Sequence, residues 1–175
     1  KTFIGLLIGG DSRDFRLRPE KIREVLREVK TASQQLDAGI LVTTSRRTSK
    51  MIEDLVREEL AHDPRCRLLV IANENNIPEA VGGILGLSRF IICSPESISM
   101  ISEAASSGQY VFVFNDIGLS PKHREFLAHF SRKGYIALTE AGGLSRKMAD
   151  LWMNKPAVKM PDDSALIKEA VKKLI

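Results

Sequence analysis

The stretch SPESISMISEAASSGQYVFVF, Ser94 to Phe114, sets a serine-rich helical pattern between two apolar runs. At helical periodicity Ile98, Ile101, Ala104 and Ala105 share one side, while Ser99, Ser102, Glu103 and Ser106 share the other. A helix cap takes only one of Ser94, Ser97 or Ser99, which leaves surplus hydroxyls for a ligand. Amides and hydroxyls over residues 97–100 suit a phosphate, and Glu103, one turn beyond Ser99, could accept two hydrogen bonds from a ribose diol. The competing reading is a solvated helix face with an ordinary exposed glutamate.

Three other loops offer related chemistry. Gly9-Gly10-Asp11-Ser12 follows an apolar run; glycines let amides approach an anion closely and Ser12 adds a donor, although the same pair also reads as a turn needing positive φ. Thr43-Thr44-Ser45-Arg46-Arg47-Thr48 gathers hydroxyls and two guanidiniums before a helical stripe. Because cations at a helix N-terminus oppose its dipole, Ser45 and Arg46 read as an anion cradle, set against N-capping by Thr48 or Ser49 with solvated arginines. In Ala72-Asn73-Glu74-Asn75-Asn76-Ile77-Pro78, Asn73 is nearest the strand end and is the side chain expected in a cleft, the alternative being a plain loop.

These loops require a scaffold that brings them together. Apolar runs over 3–8, 40–43, 68–71, 90–93, 111–114 and, more weakly, 135–138 lack polar alternation, as strands buried on both faces do. Between them run stripes at helical spacing: Ile22, Val25, Leu26 and Val29; Met51, Ile52, Leu55 and Val56; Phe126, Leu127 and Phe130; and a last one over 166–174. Pro19 and Pro121 fit first helical positions, Ser120 an N-cap, and Gly108 and Gly134 helix ends. The alternation predicts an α/β, Rossmann-like, doubly wound and mostly parallel sheet of about six strands with helices on both faces. Ligands of such sheets bind outside the strands' carboxyl ends. Regularity lapses over 139–161, where Gly142-Gly143 reads as a turn and Leu151-Trp152-Met153 as an anchor for a segment crossing the surface.

The 175 residues, 43% hydrophobic and 27% charged, suffice for one sizeable core and read as a single domain, 1–175. A net charge of +4 leans toward anionic partners. Aromatic residues at 6%, mostly in the core, speak against a nucleic-acid surface. Neither a dinucleotide glycine fingerprint nor a P-loop is present, and the third strand ends in Ile71-Ala72-Asn73 without the aspartate of a phosphoacceptor. No Asp-x-Asp pair is present, and neither a bound metal nor a cofactor is expected. Cys66 and Cys93 read as small buried hydrophobes in a reducing, cytoplasmic setting. The chain opens on Lys1 directly before a buried strand, so a preceding domain is expected.

Taken in order and at these separations, IGLLIGGDS, ILVTTSRRT and the quoted helix resemble the carboxyl-terminal half of the ELM-type mitochondrial fission protein family, which has bacterial members. That family is similar to GT-B glycosyltransferases and UDP-N-acetylglucosamine 2-epimerases. The resemblance implies the half of a GT-B fold that binds a nucleoside-diphosphate sugar, UDP-type favoured, with an N-terminal partner domain outside this chain. It implies a diphosphate near Gly9, Gly10, Ser97 and Ser99, a ribose on Glu103, and Ser45 and Arg46 at the cleft. The isolated domain is expected to bind nucleotide weakly, to catalyse nothing and to dimerise through the surface a partner domain covers. Any membrane association is expected to be peripheral, at the inner membrane surface. Two other readings stay open: a non-catalytic scaffold or binding module, and a UDP-sugar 2-epimerase. The latter is disfavoured because His62, His123 and His129 fall within or at the end of helices.

Overall fold

The apolar runs form six parallel strands, β1 (Phe3–Leu7), β2 (Gly39–Thr43), β3 (Cys66–Val70), β4 (Phe90–Cys93), β5 (Tyr110–Phe114) and β6 (Ala137–Thr139), in the order β3-β2-β1-β4-β5-β6. The computed structural model describes residues 2–13 and 15–162, so the stripe at 166–174 lies outside the described residues. The connecting helices are α1 (Pro19–Gln35), α2 (Lys50–Leu60), α3 (Ala80–Leu87), α4 (Ile98–Ala105) and α5 (Pro121–Lys133); α6 (Leu144–Asn154) follows β6 through a 3-10 turn at Ala141–Gly143. Right-handed crossovers put α1 and α2 on one face and α3, α4 and α5 on the other, and α6 returns to pack on α1. The strand order reverses between β1 and β4, where Ile4 lies opposite Phe90. That junction is the crevice in which a doubly wound sheet takes a ligand.

Local signals account for much of this. Pro19 opens α1, Ser120 caps α5 by accepting the His123 amide, and Gly134 ends α5 at φ 77°. The last of these displaces the sixth strand from the expected 135–138. Tyr135 closes the helix end by donating its amide to the Phe130 carbonyl at 3.0 Å and sets its ring edge-on to Phe130, so pairing begins at Ala137.

Two helices escape the sequence patterns. Gly82, Gly83 and Gly86 make α3 a poor helix by propensity, but it buries Ala80 and Ile84. Gly5 of β1 lets it settle, since a Cβ there would lie 2.5 Å from Ile84 Cγ2 and 2.7 Å from Ser88 Oγ. The start of α6 is capped from another helix: Glu28 of α1 accepts the Ser145 amide at 3.2 Å and the Ser145 hydroxyl at 2.6 Å, placing a carboxylate at a helix N-terminus. Gly142 and Gly143 thus belong to a 3-10 turn feeding a helix, and the expected surface-crossing anchor is the end of that helix, with Trp152 against Phe90.

Both cysteines are free thiols. Cys93 is buried, while Cys66, on the edge strand, is only half-buried; burial pushes both thiols up. No helix among the described residues is long and apolar enough to cross a membrane.

Candidate functional site at the β1/β4 switch point

The chain leaving β1 is held from both neighbours. The Ile8 amide donates to the Thr43 carbonyl of β2 at 2.9 Å, and the Leu7 carbonyl accepts the Ser94 amide at 3.2 Å. Three successive amides then find acceptors inside the protein: Gly9 on Ser94 Oγ at 2.7 Å, Gly10 on Glu96 Oε1 at 2.8 Å, and Asp11 on the Arg47 carbonyl at 3.0 Å. Neither Gly9 nor Gly10 has positive φ. Their lack of a side chain serves close approach instead, because a Cβ on Gly9 would overlap Glu96 Oε1 and one on Gly10 would overlap the Arg47 carbonyl. Ser12, half-exposed, uses its amide on the Phe15 carbonyl.

Glu96 was not among the candidates from sequence, since a loop acid is normally solvated. Here it is 4% exposed. Its Oε1 accepts from the Gly10 amide and from the Ser94 hydroxyl at 3.1 Å, whereas Oε2 is buried without a hydrogen-bond partner. Burial pushes its carboxyl above the ordinary glutamate range against the lowering effect of its own amide, the Gly10 amide, the Ser94 hydroxyl and the Arg47 charge. Its position three residues past a strand end was the signal available.

The β2–α2 loop is locked to the glycine loop by Thr48. This buried hydroxyl donates to the Gly9 carbonyl and accepts the Ser45 amide at 2.9 Å. Ser45 Oγ in turn accepts the Arg47 amide at 3.2 Å, so Ser45 shapes the turn. The N-cap of α2 is Ser49, whose side chain makes no cap bond. Arg46 stands exposed at the mouth of the loop. Asn73 turns away from it, donating to Glu53 Oε1 at 2.7 Å and to the Thr48 carbonyl at 3.3 Å. Asn76 lines the adjoining cleft in its place. This cleft, about 400 Å³, is lined by Ser45 and Arg46 together with Ile77, Pro78, Val81 and Met100. A lining that combines apolar side chains with hydroxyls suits a flat heteroaromatic ring.

On α4 the serines divide into two groups. Ser102 and Ser106 return their hydroxyls to the Ile98 and Ser102 carbonyls, at 2.8 and 2.9 Å. Ser97, the N-cap at 8% exposure, makes no side-chain cap bond, and Ser99 is exposed. The first intrahelical bond runs from the Ile101 amide to the Ser97 carbonyl, so the amides of Ile98, Ser99 and Met100 have no helical acceptor. Glu103 is exposed one turn beyond Ser99. On the far side of the glycine loop Arg18, at the start of α1, donates through Nε to Asp116 Oδ1 at 2.8 Å. The β5–α5 loop is thereby joined to the same assembly. Among the described residues no group of three or more His, Cys, Asp or Glu could hold a metal ion.

This strand order, with the loops after β1, β2 and β4 bonded together at the reversal point, defines a Rossmann-like domain of the class found in GT-B glycosyltransferases and UDP-GlcNAc 2-epimerases. Residues 1–165 match the family described as Mitochondrial fission ELM1, and the chain belongs to that family. Among solved structures it is similar to the UDP-GlcNAc 2-epimerase of Neisseria meningitidis bound to UDP-GlcNAc, at 15% identity and a TM-score of 0.64 over 98% of this chain and 45% of that one. It is also similar to S. aureus MnaA with UDP (12%, 0.59, 87% of this chain and 36% of that one) and to Acinetobacter baumannii MurG (15%, 0.53, 98% and 47%). At these identities the likeness is one of fold, and the chain spans less than half the length of each of the three. No curated protein matches the chain.

Proposed function

We propose that this chain is the donor-binding domain of a GT-B-like glycosyltransferase and takes the nucleoside diphosphate of a nucleotide sugar, UDP-type favoured. The observation that carries this reading is the start of α4, where three amides without helical acceptors and the Ser97 and Ser99 hydroxyls stand beside the switch point. The diphosphate seats there, within reach of Arg46. The base enters the cleft lined by Ser45, Ile77, Pro78, Val81 and Met100, and Glu103 receives the ribose diol. Amides, hydroxyls and a guanidinium fixed around a leaving diphosphate stabilise the charge that develops on it as the glycosidic bond breaks. Two structural relatives carry UDP or UDP-GlcNAc, which supports a uridine nucleotide. The acceptor and its general base belong to a partner domain that closes over the crevice, so this domain alone binds nucleotide without transferring sugar. The chain acts as a soluble or peripherally bound module of the cytoplasm.

A non-catalytic binding module is the second reading, favoured by the glycine loop, whose amides are spent on Ser94, Glu96 and Arg47. Calorimetric titration of the full-length protein with UDP-, GDP-, ADP- and CMP-sugars tests the primary reading. Binding of the UDP-sugar with a rise in melting temperature is expected; no heat and no shift with any of the four would refute it.

A further inference from the structure

One of the three acceptors on the glycine loop is a carboxyl group, and a neutral side chain would serve a purely structural tie better. Ser94 makes that kind of tie with Gly9. Glu96 instead places an acid where it is 4% exposed, divides Oε1 between Gly10 and Ser94, and leaves Oε2 with no hydrogen-bond partner. Removing a carboxyl group from water costs free energy, and a buried acceptor left unfilled adds to that cost. The place it occupies is informative. Gly9 leaves room for an oxygen where any other residue would put its Cβ, and the unspent amides of α4 begin two residues further on. Main-chain amides holding an oxyanion at the carboxyl ends of the switch-point strands are how such a crevice takes a ligand anion. Here the oxyanion belongs to the chain itself.

We propose that Glu96 is an internal stand-in for a ligand phosphate: a nucleoside diphosphate entering the crevice displaces its carboxyl group from the Gly10 amide and takes its place. The inference rests on the nucleotide reading above and adds to it a competing group and a proton. While buried, Glu96 holds its proton more tightly than a glutamate in water; once displaced it returns to the ordinary range. Binding therefore releases a proton, and affinity rises with pH from the ordinary glutamate range up to the elevated value of the buried carboxyl. A carboxyl group that stayed beside the diphosphate would be held protonated more strongly still, and affinity would fall with pH. The sign of the dependence separates the two cases. The charged or titratable groups that act on Glu96 are Arg47 on the β2–α2 loop and Cys93 on β4, while Asp11 follows Gly10 in the chain and Glu103 lies further along α4. Burial holds the Cys93 thiol neutral, and Asp11 is engaged by the Leu17 amide and Arg16. Glu103 is controlled by the variants at position 96.

The test is calorimetric titration of full-length protein with UDP-N-acetylglucosamine from about pH 5 to 7.5; its phosphates are diesters and lack the monoester ionisation near pH ~6. Wild-type affinity should rise several-fold across this range. Glu96→Ala should bind about tenfold more tightly than wild type at the acid end. Both Glu96→Ala and Glu96→Gln should lose the pH dependence. Binding by Glu96→Ala where wild type shows none also supports the exchange. Affinity that is flat or falls with pH in wild type, or weaker binding by a folded Glu96→Ala, overturns it while leaving the nucleotide reading intact. If the alanine variant does not fold, the wild-type series and Glu96→Gln decide. No binding by wild type or either variant overturns both.

Discussion

Thr48 donates its hydroxyl to the Gly9 carbonyl while the same oxygen accepts the Ser45 amide, so one buried threonine joins the loops that follow β1 and β2. Thr48→Val keeps the shape and removes both bonds, leaving a buried carbonyl and an amide without partners. The expected loss is about 2–3 kcal/mol, and Thr48→Ser should retain most of the stability. Urea denaturation checks this as a fall in midpoint at unchanged slope; a valine variant as stable as wild type would show that the lock is dispensable.

Glycines in this chain should divide by what surrounds them. At Gly10 a methyl group would meet the Arg47 backbone, which cannot rotate away as a side chain could. Gly10→Ala should therefore cost about 3 kcal/mol and weaken nucleotide binding. At Gly83, exposed on α3, a methyl group would meet nothing within 4 Å. Gly83→Ala should raise stability by about 0.5–1 kcal/mol, through helix propensity and a less flexible unfolded chain. Thermal denaturation of the two variants side by side measures the contrast.

Glu103→Gln preserves size but removes the charged acceptor assigned to the ribose. Nucleotide affinity should drop by about 1.5–3 kcal/mol. Stability should change by no more than about 0.5 kcal/mol because the side chain faces solvent. Unaltered affinity in full-length protein would remove Glu103 from the site.

Glu96 also sets a pH dependence of folding without any ligand. Its carboxyl is pushed up in the folded state, so the native protein holds a proton that the unfolded chain has released. Stability is then greatest below the ordinary glutamate range and declines as pH rises through the elevated folded value. Glu96→Gln should abolish that component, so its stability relative to wild type should improve between about pH 4.5 and 7.5. Guanidinium denaturation at the two ends of the range gives the difference; a constant gap would mean that Glu96 carries the same charge in both states.

The sheet was legible in the sequence because buried parallel strands announce themselves as apolar runs, and Pro19, Ser120 and Gly134 mark helix ends through local chemistry. What was hidden depends on distant groups. The start of α6 is capped by Glu28, 117 residues earlier, and glycine-rich α3 is a helix because Gly5 lies beneath it. The same holds at the site. Ser99 and Glu103 could be put on one side of α4 by periodicity, and Ser97 at its start by capping chemistry. Asn73 could not, because its carboxamide is drawn inward by buried Glu53. Glu96 was overlooked because only the fold brings the Gly10 amide to it.

The bond from Gly10 to Glu96 spans 86 residues of sequence and the one from Gly9 to Ser94 spans 85, so these contacts carry a loop-closure entropy that no neighbouring segment defrays. The β1, β2 and β3 side of the sheet can assemble from shorter-range pairings, but the glycine loop gains its side-chain acceptors only after the chain has crossed over and β4 has docked. Closing these two bonds therefore requires both halves of the sheet. During synthesis the amides of Gly9 and Gly10 remain in water until residue 96 has emerged and found them, and the completed knot reports that both halves of the sheet are in place.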